Sequence, residues 1–83
     1  MAAIRVNDEL ITAADLAIGP DSDHASMIEY WAIHEIEDYG DSPEIEKRLI
    51  DMLIQFGNTP EATQLTFVAK LDGVQRKIRI EKV

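Results

Sequence analysis

Ala2 to Leu10 reads A-A-I-R-V-N-D-E-L, and the rest of the chain is organised around it. Ile4 and Val6 alternate with Arg5 and Asn7, the period-two pattern of a half-buried strand, and Asp8-Glu9 then read as the opening of an amphipathic helix. A single strand with no hairpin partner beside it has to pair with something distant. The cheapest candidate is the same strand of a second copy, giving a two-stranded antiparallel ribbon with Ala3, Arg5 and Asn7 of each chain on its outer face. A ribbon of that kind fits the major groove of DNA, where arginine suits guanine and asparagine suits adenine. The plainer reading of the same residues is a solvated strand edge.

Outward from this strand, Leu10, Ile11, Ala14, Leu16, Ala17 and Ile18 crowd one side of an expected first helix over about Asp8 to Ile18, stopped by Gly19-Pro20. Asp21-Ser22-Asp23 supplies N-cap candidates for a second helix running to Tyr39. Its stripe is Ala25, Ile28, Trp31, Ala32, Ile36 and Tyr39, with the only tryptophan of the chain at its centre as a core or interface anchor. Gly40-Asp41-Ser42-Pro43 breaks the chain again, Ser42 as N-cap and Pro43 in the first helical position. A third helix comes next, with Ile45, Leu49, Met52, Leu53 and Phe56 as its stripe and Gly57-Asn58 at its end.

From Gln64 the period changes to two. Asp72-Gly73 is a two-residue hairpin signal, since both positions of a type I′ turn need positive φ. Closing the hairpin there sets Leu71 opposite Val74, Ala69 opposite Arg76, Phe67 opposite Ile78 and Leu65 opposite Ile80, which gathers the apolar residues on one face.

Eighty-three residues bury little apolar surface alone, so association is an expected source of stability. Without cysteine there is no disulfide framework and no thiolate nucleophile, and no segment approaches the roughly eighteen apolar residues of a membrane span. A soluble cytoplasmic protein with no membrane association is expected. The net charge of −8 is uneven: residues 1–69 carry three basic groups against fourteen acids, and residues 70–83 carry five against two. Non-specific DNA affinity comes from neutralising phosphates, so this balance favours a basic protein partner over a strong general DNA binder. Glu29, Glu35, Glu37, Asp38, Asp41, Glu44 and Glu46 form an acidic stretch, read either as solubilising surface or as the docking face for that partner.

No enzyme is legible. His34-Glu35 begins like the helical H-E-x-x-H zinc motif, but Asp38 stands where the second imidazole belongs. There is no nucleophile with a paired base and no glycine-rich phosphate loop, and no metal or cofactor is implied.

Strand, helix, helix within the first forty residues is the order of the ribbon-helix-helix proteins. More narrowly, I-R-V-N-D-E-L at Ile4 to Leu10 and I-E-Y-W-A at Ile28 to Ala32 resemble the ParD-like antitoxins of type II toxin-antitoxin systems. The resemblance covers about Ala2 to Tyr39. It implies a homodimer that reads operator DNA through Ala3, Arg5 and Asn7, with Ile4, Val6, Leu10, Ile28, Trp31 and Ala32 at the dimer interface. It also implies autorepression and direct neutralisation of a basic toxin of the ParE/RelE type. That family carries Ser or Thr beside a basic residue at the start of the second helix, whereas Asp21-Ser22-Asp23-His24 sets two phosphate-repelling carboxylates there.

The expected fold is therefore α+β. Residues 1–40 form a ribbon-helix-helix dimerisation and DNA-binding region whose strand is shared across the dimer. Residues 41–83 form a third helix and a C-terminal β-hairpin. Leu49, Leu53, Phe56, Leu65, Phe67, Ile78 and Ile80 are the candidate toxin-binding residues there, with packing within the chain as the alternative use of the same face. A stand-alone ribbon-helix-helix regulator and an acidic inhibitor or adaptor without DNA binding are the two other readings.

Overall fold

The computed structural model of the chain describes residues 2–39 and 42–83. In chain order the elements are β1 (Ala3–Val6), β2 (Glu9–Thr12), α1 (His24–Glu35), α2 (Pro43–Gly57), β3 (Gln64–Leu71) and β4 (Val74–Lys82). The strands form one antiparallel sheet in the order β2-β1-β4-β3.

Two expectations are overturned. The N-terminal strand is not shared across a dimer, because β1 lies between β2 and β4 of its own chain: Ile4 pairs with Ile11 and Lys82, Arg5 with Leu10 and Glu81, and Val6 with Glu9 and Ile80. With both edges bonded, it has none left for a second copy's ribbon. Nor is there a third helix among the described residues. The segment read as the first helix, Asp8 to Ile18, is a turn, a strand and one isolated helical turn.

The local chemistry accounts for both. Asn7-Asp8 is a two-residue hairpin loop with Asn7 left-handed at φ 55, a conformation asparagine tolerates better than most residues. Residues 9–12 then stay extended against β1. The helical tendency of the segment survives only from Thr12 to Leu16. The Asp15 carboxylate accepts from the Thr12 N–H at 2.9 Å and the Asp15 N–H donates to the Thr12 hydroxyl at 3.3 Å, a reciprocal cap of the capping-box kind. Ala17, at φ 57, ends the turn with its N–H on the Ala14 carbonyl while the Ile18 N–H reaches the Ala13 carbonyl. These are the paired bonds of a Schellman ending.

The remaining elements form where their sequence signals lie. Asp23 caps α1 by accepting from the Ser26 N–H at 2.8 Å, and Ser42 caps α2 ahead of Pro43. Helix α1 stops at Glu35 instead of Tyr39, because Ile36 is extended and Glu37 makes a bridge to Lys70 of β3. Gly40 and Asp41, read as part of the break, lie outside the described residues. Gly57 brings the end of α2 against the start of α1, where a Cβ would sit 3.2 Å from the Ala25 Cα. The Asp72-Gly73 turn has both residues at positive φ, 53 and 76, and the four pairs expected for the hairpin all occur.

Both helices cover one face of the sheet. Ile4, Val6, Phe67, Ala69, Ile78 and Ile80 meet Met27, Ile28, Trp31, Ala32, Leu49, Leu53 and Phe56 in one core, and Trp31 packs edge-on to Phe67 with ring centroids 6.4 Å apart. Fully burying six large side chains, Ile4, Met27, Ile28, Leu53, Ile78 and Ile80, contributes roughly 1.5–3 kcal/mol each before chain entropy is charged against it.

Candidate functional site

The open face of the sheet holds the residues expected to read DNA, and their side chains are engaged within the chain. Arg5 reaches Glu81 at 3.2 Å; Glu81 in turn holds Arg79 at 3.0 Å, and Arg79 reaches Asp8 at 3.5 Å. Asn7 takes both main-chain groups of Arg79: its N–H donates to the Arg79 carbonyl at 2.7 Å, and its Oδ1 accepts from the Arg79 N–H at 3.0 Å. Ala3 sits opposite Thr12 on the same face. Directly opposed strand residues share a face, so Lys70, Lys77 and Val68 join this surface from the hairpin side. It is basic in a chain that is acidic overall.

Of the residues expected at a dimer interface, Ile4, Val6, Ile28, Trp31 and Ala32 are buried within the chain, while Leu10, on β2, is 50% exposed on the open face opposite Arg5. Leu49, Leu53, Phe56, Phe67, Ile78 and Ile80, with Leu65 at their margin, pack in the chain's own core.

A second site was not foreseen. Where the end of α1 meets the β1–β2 hairpin and the β3–β4 turn, a cleft of about 250 Å³ is lined by Glu9, Asp15, Glu35 and Asp72 around Val6, Ile11, Leu16, Leu71 and Trp31. The indole, 3% exposed, closes the floor. Asp72 has a counter-ion in Arg76 at 3.7 Å, whereas Glu9, Asp15 and Glu35 have no basic partner within 4 Å among the described residues. The chemistry on offer is capture of a cation too large to be desolvated whole, such as a lysine or arginine head group with its apolar stem against Ile11 and Leu16. The four carboxylates come from four separate segments, so no spacing in the sequence announces them; the Thr12-x-x-Asp15 cap is the one local signal that places any of them.

Elsewhere the acidic surface is crowded. The Glu46 carboxyl is pushed above its usual range by sharing a hydrogen bond with the Asp38 carboxyl, with some desolvation and repulsion adding to it. The His34 ring stacks on Tyr30 with centroids 4.2 Å apart. Among the described residues no three His, Cys, Asp or Glu side chains are gathered to hold a metal ion, and no helix is long and apolar enough to cross a membrane.

Sequence reasoning also passed over Lys82. Its Nζ donates to the Phe56 and Thr59 carbonyls at 2.8 and 2.7 Å and lies 4.6 Å from the Phe56 ring centroid. A cation thereby meets the negative end of α2 and ties β4 to it.

The chain matches no protein-family model, no curated protein and no solved structure. In element order it is a small α+β domain in which two strands precede two helices. In order alone this arrangement is consistent with the ribbon-helix-helix superfamily and is not specific to the ParD-like group; β1, paired on both sides within its own chain, does not form that superfamily's shared ribbon.

Proposed function

We propose that this chain is an acidic adaptor or inhibitor that binds a basic protein partner and does not itself read DNA. The observation that carries the reading is the cleft in which Glu9, Asp15 and Glu35 stand without counter-ions over the buried Trp31. Complementary charge of this kind speeds encounter and sets orientation, and the apolar wall lets a basic side chain bury its stem. The overall net charge of −8 acts in the same direction. The narrower antitoxin reading names a toxin as that basic partner; it rests on the resemblance of residues 2–39 and on the same charge balance.

Trp31 is the only tryptophan, so its fluorescence reports the cleft directly. Titration with an arginine-rich peptide should shift Trp31 emission to saturation, and Glu9→Lys with Glu35→Lys should abolish the shift while the fold is retained. An unchanged titration in the double variant would remove the cleft from the account.

A second reading, a stand-alone DNA-binding regulator, is favoured by the element order and by Arg5, Lys77 and Arg79 on one face. It requires the purified protein to retard its own promoter fragment in low salt, with the shift lost in Arg5→Ala. With β1 bonded on both sides, we expect no retardation.

A further inference from the structure

The sheet has two outer edges, and they are finished differently. At the β2 edge the outward N–H of Thr12 is taken by the Asp15 carboxylate and the Thr12 carbonyl accepts from the Leu16 N–H, so among the described residues Leu10 alone keeps main-chain groups without a partner along a strand of four residues. Strand β3 is twice as long. Across a two-residue hairpin the closing pair Leu71 and Val74 bond to each other, and the bonded pairs then recur at every second residue. Leu65, Phe67, Ala69 and Leu71 therefore spend their main-chain groups on β4, while those of Gln64, Thr66, Val68 and Lys70 point outward. Among the described residues one partner touches that outer row: the Glu37 N–H donates to the Lys70 carbonyl at 3.3 Å as an antiparallel bridge. The edge is thus competent to take a strand, already holds the first bond of one, and is left open by the described residues from Gln64 to Val68.

We propose that the open edge of β3 is a docking strand for an extended acidic segment of a partner protein, which adds antiparallel as a fifth strand beside Gln64 to Val68. This goes beyond the cleft reading: the surface is a different one and the partner has the opposite charge. Strand addition draws affinity from main-chain bonds and specificity from alternate side chains. On the open face the incoming side chains lie over Thr66 and Val68, the latter 43% exposed. Lys77 stands directly behind Val68 and Lys70 one pair further along. Neither lysine has a carboxylate within 4 Å among the described residues, unlike Arg5, Arg76 and Arg79. Two strand spacings are about 10 Å, within the combined reach of a lysine and a glutamate side chain. On the helix side the alternate residues meet the half-buried rim of Leu65, which suits apolar side chains. The segment is accordingly one that alternates acidic and apolar residues. A second copy of this chain is a poorer occupant, because its β3 edge would present lysines to lysines.

The probe is an end-blocked peptide alternating glutamate and valine, added to the full chain and followed by amide resonances. The proposal expects saturable shifts and slowed exchange at Thr66 and Val68, with Leu10 on the other edge unmoved. Val68→Pro removes one outward N–H and leaves the inward pairs Phe67–Ile78 and Ala69–Arg76 in place. It should weaken binding by about fivefold or more. Should that variant fail to fold, the wild-type chain with a peptide N-methylated at its glutamate amides, the ones that face β3 when glutamate lies on the open face, should show the same loss. Lys77→Glu should weaken binding further and flatten its salt dependence. Full affinity for the N-methylated peptide, shifts centred on Leu10, or no binding would overturn the proposal. It would equally be overturned if Thr66 and Val68 became protected by concentration-dependent dimerisation of the chain alone, or if a single-stranded oligonucleotide displaced the peptide.

Discussion

Asn7 and Arg79, seventy-two residues apart, are joined by two hydrogen bonds, one from the Asn7 N–H to the Arg79 carbonyl and one from the Arg79 N–H to the Asn7 side chain. The asparagine side chain replaces the carbonyl that β1 would have offered had it continued, at the point where the backbone turns away at φ 55. One residue thus ends β1, opens the hairpin to β2 and fastens both to β4. Asn7→Ala loses the acceptor and sets an alanine in the left-handed region, and should cost about 1–2 kcal/mol in denaturant unfolding. Asn7→Gly keeps the backbone conformation and loses only the acceptor, so its cost should be the smaller of the two.

Arg5 gives a contrasting case. It pairs with Glu81 across the β1–β4 register, and its side chain is 41% exposed. A half-exposed ion pair contributes little, so Arg5→Ala should lower stability by less than about 1 kcal/mol. Thermal unfolding of the variant checks this, and a large loss would show the ion-pair chain from Asp8 to Arg5 acting as a unit.

Ala17 sits in the left-handed region with its side chain exposed. Glycine adopts that conformation without steric cost, and position C′ of a Schellman ending is where helices prefer it. Ala17→Gly should therefore stabilise the chain, by about 1 kcal/mol. A decrease in the unfolding midpoint would contradict the assigned turn.

Two carboxyls give the acid dependence opposite signs. Asp23 is held below its usual range chiefly by the Ser26 backbone N–H, with the Ser26 side chain adding to it. Its contribution is complete above the unfolded-state value and is lost as pH falls through the lower folded value. Glu46 is raised by Asp38, so its contribution is complete below its unfolded-state value and is lost as pH rises through the folded one. Across the acid range, Asp23→Asn should lose less stability than the wild type as pH falls. Glu46→Gln should remove the opposing gain and make the loss steeper. Unfolding curves at a series of acid pH values separate the two.

The C-terminal hairpin was legible in full because its cause is local: Asp72-Gly73 fixes the turn, the turn fixes the register, and the register puts Phe67 and Ile78 on one face. The caps at Ser42-Pro43 and Gly57-Asn58 were legible for the same reason. Asp8 to Ile18 misled because its signals are divided. Asp8-Glu9 serves equally as a helix start and a turn end, four residues are too few for period two to show, and Leu10 to Ile18 do hold helical spacing. What settles the matter is β4, which lies at the far end of the sequence and supplies the partner that β1 was expected to seek in another molecule. The cleft was hidden likewise, since Glu9, Asp15, Glu35 and Asp72 meet only once the sheet and α1 are in place.

The central claim is that β1 finds both of its neighbours in its own chain, and isotope-filtered NOE spectra of a co-refolded mixture of labelled and unlabelled protein test it most directly. The account predicts contacts from Ile4 and Val6 to Ile80 and Lys82 within the labelled chain and none between labelled and unlabelled copies. Contacts joining Ile4 or Val6 of one copy to the same residues of another would contradict it.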